Sequence, residues 1–206
     1  MSTPIDQRIT SLRQWLLANE LDAWIVPHED EYLGEYLPKH NERLHWLTGF
    51  TGSAGVAIVT QNHAAIFVDG RYTVQVTKQV SDQLFEYHHL IDEPFLEWLV
   101  TQLPRNSRVG FDPKMHRGKW INSAQQQLQG VLTLTPVTVN PIDQLWLDRP
   151  APQRSDMILL PDSSVGISSH IKRLDIGLNI AQADADCAII TALDSICWLI
   201  NIRGLD

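Results

Sequence analysis

The tetrapeptide Asp69-Gly70-Arg71-Tyr72 holds the residue of this sequence best suited to chemistry. Asp-Gly is a turn pair, and the aspartate is also suited to cap the segment that follows. These roles account for Asp69 and Gly70 and leave Arg71 over. An arginine projected from a tight turn at a strand end presents a planar fork of donors. That fork suits a carboxylate or the carbonyl-rich end of a chain. On pattern alone, a surface arginine in a local ion pair is the simpler reading.

Other candidates fall away on spacing. Gly49, Gly52 and Gly55 follow G-x-x-G-x-x-G, whereas a dinucleotide loop needs G-x-G-x-x-G between a strand and a helix. Here a β-branched "VAIV" run follows, and no lysine follows the glycines as in a phosphate-binding loop. A bend where backbones pass closely fits better. Ser53 comes directly after Gly52 and before a strand-like run, which is not the G-x-S-x-G order of a nucleophile elbow. His28, Glu29, Asp30 and Glu31 put carboxylates beside a histidine. Adjacent residues diverge on a helix, so this stretch reads as a solvated acidic face rather than a metal site. His40, His63, His88, His89, His116 and His170 show no metal spacing, and His45 beside Trp46 reads as a packing position.

The elements that must carry these residues alternate in type. Ile5, Ile9, Leu12 and Leu16 recur at helical spacing, with Thr3 as the expected cap and Pro4 in the first turn. "DAWIVP" reads as a buried strand ended by proline, and residues 28–49 as helical in pieces, with Gly49 ending the last piece. "GVAIVT" and "AAIFVD", separated by "QNH", form a hairpin pattern. Helices are expected in "RYTVQVTKQV", "EPFLEWLVTQL" and "MHRGKWINSAQQQLQ", and strands in "RVGFD" and "VLTLTPV". This order describes an α/β layered domain.

Of the 206 residues, 44% are hydrophobic and 19% charged, a globular balance. The formal charge of −8 and the lack of a basic stripe argue against a nucleic-acid partner. No apolar run approaches membrane-spanning length, and the N-terminus lacks the order of a signal peptide. Cys187 and Cys197 form no C-x-x-C pair. Together these features point to a soluble protein of a reducing cytoplasm.

A domain boundary is expected in "LDRPAPQRSD", Leu147–Asp156. Beyond it the opening pattern returns. Asp22–Val26 aligns with Asp186–Ile190 at an offset of 164 residues, which also brings Leu12 onto Ile176 and Leu16 onto Ile180. "HWLTGFTG" resembles "CWLINIRG" at an offset of 152 residues, counted from Trp46 to Trp198. The sequence is thus expected to hold a first domain over residues 1–150 and the truncated beginning of a second over 151–206.

The blocks "LTGFTGSAGVAIVTQNHAAIFVDGRYTVQ" and "ITALDSICWLINIRGLD", with "LDAWIVPHEDEYLGEY", "LPRNSRVGFDP" and "IDQLWLDRP", resemble the N-terminal part of cytosolic-type Xaa-Pro aminopeptidases. The resemblance covers almost the whole chain. It implies a creatinase/prolidase N-terminal-like, ribonuclease H-like fold: a mixed sheet flanked by helices, followed by a second domain of similar fold. It further implies a separate catalytic pita-bread domain holding two divalent metals, usually manganese. None of that domain's ligand segments matches here, so no catalytic or metal residue carries over and no cofactor is expected in this segment.

One residue does carry over. The arginine of the family's "DGRY" binds substrate, and it matches Arg71. The implied partners are a peptide with proline in second position and a second copy of the chain. The closing "IRGLD" departs mildly from the family's commoner "LRG.D". Two alternatives stay open: a stand-alone creatinase-like binding or assembly module, and the N-terminal part of a prolidase- or creatinase-type hydrolase. The second-copy signature argues against the latter.

Overall fold

The structure, a computed structural model, describes residues 3–204. They divide into two compact units, Met1–Ala151 and Pro152–Asp206. In chain order the first contains α1 (Ile5–Ala18), β1 (Ala23–Pro27), α2 (Arg43–Thr48), β2 (Gly55–Thr60), β3 (Ala64–Val68) and α3 (Thr73–Gln79). β4 (Glu86–His89), α4 (Phe95–Gln102), β5 (Arg108–Phe111), α5 (Gly118–Leu128), β6 (Thr133–Pro136) and α6 (Pro141–Leu145) complete it.

The six strands form one mixed sheet in the order β4-β3-β2-β1-β5-β6. β1–β2 and β2–β3 pair antiparallel, while β3–β4, β1–β5 and β5–β6 pair parallel. The central strands are buried on both faces, which is why they read as continuous apolar runs rather than as alternation. Trp24 and Val26 join Ile9, Leu12, Leu16, Leu44 and Ile142 on one face, from α1, α2 and α6. Ala23 and Ile25 join Leu96, Leu99, Ala124 and Leu128 on the other, from α4 and α5. The expected α/β architecture is therefore present, with helices on both faces of a mixed sheet.

Several local expectations change. Pro4, not Thr3, occupies the N-cap position of α1, and no side chain caps it. Thr3 instead offers its carbonyl to Arg8 Nε at 2.6 Å. β4, "EYHH", was not legible as a strand, because it is a polar edge strand that pairs on one side only, in parallel with β3. α6 is too short for a clear helical pattern, although Asn140 caps it by accepting from the Ile142 amide at 3.0 Å and Pro141 opens it.

The second unit contains β7 (Ile158–Leu159), α7 (Asp162–Val165), α8 (Ser169–Gln182), α9 (Leu193–Ile200) and β8 (Ile202–Arg203), with β7 and β8 antiparallel. Asp186–Ile190, aligned above with β1, forms no strand. The only sheet described in this unit is the β7–β8 pair, so the segment finds no ladder partner for its backbone. The other half of the alignment holds in detail. α2 and α9 both end on a left-handed residue, Gly49 at φ 82° and Asn201 at φ 56°. Arg8 Nη1 donates to the Trp46 carbonyl, and the guanidinium carbon of Arg8 lies 4.9 Å over the Trp46 ring. At the matching positions, Lys172 Nζ donates to the Trp198 carbonyl at 2.8 Å and lies 4.6 Å over the Trp198 ring. Each unit thus places a cation from its long helix on the last turn of its short one, where free carbonyls accumulate.

Candidate functional site

The parallel pairings put the C-terminal ends of β1, β3, β4, β5 and β6 at one end of the sheet, with the start of β2. Ligands of open α/β sheets bind beyond such ends. Here the chain leaves β1 into residues 28–42, enters β2 through 49–54 and leaves β3 through Asp69–Tyr72. Between these segments lies an open groove of about 500 Å³, lined among others by His28, Glu35, Thr51, Ser53, Arg71 and Tyr72.

Each wall has a local cause. In the first loop Asp30 is buried and accepts from the amides of Tyr32 (3.0 Å) and Gly34 (3.2 Å) and from Asn41 Nδ2 (3.0 Å). The expected solvated acidic face is thus corrected. Glu29 and Glu31 are exposed, but Asp30 turns inward because three donors there replace water. Arg43, buried on α2, donates to Asp143 at 2.7 and 3.0 Å and to Glu31 at 3.3 Å. Arg149 adds bonds to Asp143 (2.9 Å) and to the His40 carbonyl (2.6 Å), closing the base of the loop.

The glycine loop needs its glycines for side-chain clearance. A Cβ on Gly52 would stand 2.3 Å from Phe50 Cζ and 2.9 Å from Tyr72 Cδ1. Gly49 supplies the left-handed turn after α2, as expected. Thr51 is tied to α3, its amide donating to Gln79 Oε1 at 3.0 Å. His45 is exposed, not packed: α2 buries Leu44, Trp46 and Leu47 and turns His45 outward.

The floor and lip of the groove are polar. His28 Nε2 donates to the Glu35 carbonyl at 2.9 Å. Ser53 Oγ reaches Glu35 Oε1 at 3.2 Å and the Tyr72 hydroxyl at 2.9 Å. The bond to Ser53 holds the Tyr72 phenol below its usual pKa. Ser53 thus has a carboxylate and a phenol for hydrogen-bond partners. Arg71 is exposed and engages Asp69, whose hydrogen bond raises the guanidinium pKa. The arrangement is suited to binding: its lining offers the Arg71 guanidinium, the carboxylates of Glu35 and Glu42, and several hydroxyls. Among the described residues no group of three or more His, Cys, Asp or Glu is placed to hold a metal ion. Glu35 and Tyr72 were not singled out by sequence, since only the fold joins residues so far apart in the chain.

A second cleft lies at the same sheet end beside Phe95, Met115, His116 and Trp120. His116 stacks on Trp120 at 4.2 Å, and its Nε2 is buried without a partner. Burial lowers its pKa from 6.5 to about 4. The unfolded chain therefore binds the extra proton between these values, and stability falls as pH drops from about 6.5 towards 4. The loss approaches roughly 3 kcal/mol at its limit. Urea unfolding of His116→Phe, which keeps the stacked ring, is expected to lose this part of the pH dependence. An unchanged slope would refute the assignment.

Comparison with known proteins bears on both units. Two family descriptions of the Creatinase/Prolidase N-terminal domain match, one over residues 8–145 and the other over 148–206. The chain belongs to the creatinase/prolidase N-terminal family. Among relatives of this creatinase-type chain is Xaa-Pro aminopeptidase 2 of Homo sapiens, 34% identical over 203 residues. That alignment covers 96% of this chain and 30% of the relative. Aminopeptidase P1 of Arabidopsis thaliana is 32% identical, covering 96% and 31% respectively. Among solved structures, the X-prolyl aminopeptidase of Caenorhabditis elegans, described as a cytosolic enzyme with a di-nuclear active site, superposes with a TM-score of 0.86 at 26% identity. It covers 98% of this chain and 35% of that one. The chain thus spans about 30% of the length of the curated relatives it matches. Its creatinase-type fold agrees with the expected class, and the resemblance to Xaa-Pro aminopeptidases extends to named relatives. No described helix is long and apolar enough to cross a membrane.

Proposed function

We propose that this chain is the non-catalytic N-terminal portion of a metal-dependent Xaa-Pro aminopeptidase. Residues 1–150 form its first domain, and residues 151–206 begin its second. The observation that carries the reading is the likeness, over 98% of the chain, to an X-prolyl aminopeptidase of matching fold. The whole enzyme removes the N-terminal residue from peptides with proline in second position, acts in the cytoplasm and works as a homodimer. It uses two divalent metals, read as manganese, on a separate catalytic domain, so no residue here is assigned to them. This segment contributes subunit association and substrate contact, and Arg71 holds the peptide from the lip of the groove.

The support for Arg71 is its setting. It is an exposed guanidinium at the end of β3, in a groove whose lining also holds the carboxylates of Glu35 and Glu42, His28, Gln75 and several hydroxyls. In the complete peptidase, Arg71→Ala is expected to lower kcat/KM for an Xaa-Pro peptide roughly ten- to hundredfold with the fold retained, as for loss of a charge-assisted contact. Unchanged kinetics would return Arg71 to a local ion pair. The isolated 206-residue chain, supplied with manganese, is expected to hydrolyse no Xaa-Pro peptide. Turnover by mass-verified chain would overturn the non-catalytic assignment.

A further inference from the structure

Arg71 is held on two sides. Its Nε donates to Asp69 Oδ1 at 3.2 Å and to Oδ2 at 3.0 Å, and its Nη2 donates to Oδ2 at 2.6 Å. Its guanidinium lies 5.2 Å from the centre of the Tyr72 ring. That ring is itself fixed, edge-on to Phe50 at 5.6 Å and bonded through its hydroxyl to Ser53. Nη1 has no hydrogen-bond partner among the described residues. A guanidinium offers two bidentate edges, Nε with Nη2 and Nη1 with Nη2. Here one edge is taken by Asp69, one face is covered by Tyr72, and the Nη1 edge is open.

We propose that Asp69 is a positioning residue for peptide binding: it grips the Nε edge of Arg71 and so presents the Nη1 edge to a carbonyl or carboxylate of the peptide. The proposal rests on the reading of Arg71 as the peptide contact and adds a reason why that contact works from an exposed position. A free arginine on a surface samples many rotamers, and binding must order it. The aspartate orders it beforehand and leaves enough donors for one further bidentate acceptor.

Asp69 has a second task that a test must separate. Its Oδ1 also accepts from the Arg71 amide at 2.9 Å, and its carbonyl accepts from the Tyr72 amide at 2.9 Å, which shapes the turn. Asparagine keeps a side-chain oxygen for the amide and loses the charge that holds the fork. Asp69→Asn therefore spares the turn and releases the guanidinium.

The experiment is a double-mutant cycle in the complete peptidase, with steady-state kinetics on an Xaa-Pro peptide for wild type, Asp69→Asn, Arg71→Ala and the double variant. Asp69→Asn alone is expected to raise KM roughly three- to tenfold with kcat within about twofold, as for lost pre-organisation of a ground-state contact. Added to Arg71→Ala, it is expected to change nothing further. The same KM increase in both backgrounds would show that Asp69 acts through the turn and overturn the proposal. A wild-type or lower KM for Asp69→Asn beside an impaired Arg71→Ala would overturn it while leaving the peptide contact standing. Wild-type kinetics for Arg71→Ala would remove both. In the 206-residue chain, the Arg71 Nε–H is expected to exchange faster with water in Asp69→Asn than in wild type. Equal exchange would also count against the grip.

Discussion

Replacing Arg43 with alanine is expected to lower the unfolding free energy of the first unit by about 3 kcal/mol. Its side chain is 4% exposed and bonds both oxygens of Asp143 and one of Glu31. Burial alone would lower its pKa, but Asp143 and then Glu31 outweigh this, and the guanidinium stays charged. Truncation strands carboxylates arranged around a cation that is gone. The effect stays near the low end of such losses because Asp143 is 27% exposed and keeps Arg149 at 2.9 Å. For a unit of this size the melting temperature should fall by roughly 6–12 °C. Urea unfolding followed by tryptophan fluorescence measures it, and a change below about 0.5 kcal/mol, the size of an ordinary surface substitution, would refute the account. The same variant loosens the loop that carries Glu35, because Glu31 loses its anchor.

Trp24→Ala is expected to cost more, about 3–5 kcal/mol. Trp24 is fully buried at the centre of the sheet and meets Trp15 edge-on at 5.9 Å. Its neighbour Gly110 on β5 explains the fit, since a Cβ there would stand 2.6 Å from Trp24 Cε3 and 2.9 Å from Leu21 Cδ1. Gly110→Ala should therefore cost about 1–3 kcal/mol by overpacking. Combining it with Trp24→Phe should be less damaging than the sum, because the smaller ring vacates the space the methyl needs. The indole nitrogen of Trp24 has no hydrogen-bond partner, so phenylalanine there breaks no bond. Strict additivity in denaturant midpoints would mean that the indole and the glycine are not the complementary pair described.

Much of this arrangement was readable in advance. The apolar runs of β1, β2 and β3 and the helical spacing of α1 carry strong signals because their whole length is buried or strictly periodic. β4 gave no such signal, because an edge strand pairs on one side and tolerates a polar sequence. Asp30 misled for the opposite reason. Its neighbours are acidic and exposed, and only the converging donors of Tyr32, Gly34 and Asn41 make its burial favourable. For the groove, sequence located Arg71 and its turn. The hydrogen bonds from Ser53 to Glu35 and Tyr72 span 18 and 19 residues, distances at which residue spacing says nothing about contact. At Asp186–Ile190 the apolar pattern was real but not sufficient, since a strand also needs a neighbour to pair with.

The convergence of strand ends at one end of the sheet separates two kinds of freedom. Trp24, Gly110 and the apolar faces of the helices lie between those ends and the opposite rim, and any change among them disturbs close packing. The segments around the groove are surface loops, of which residues 28–42 are anchored at their base by Asp30, Arg43 and Arg149. Side chains on the exposed parts of these loops can be exchanged while the anchors and the sheet stay as they are. Variants with new ligand preferences should therefore come from libraries confined to exposed loop residues such as Tyr36 on the groove wall, with most members still folding. A library of equal size in β1 or β5 should yield mostly unfolded chains.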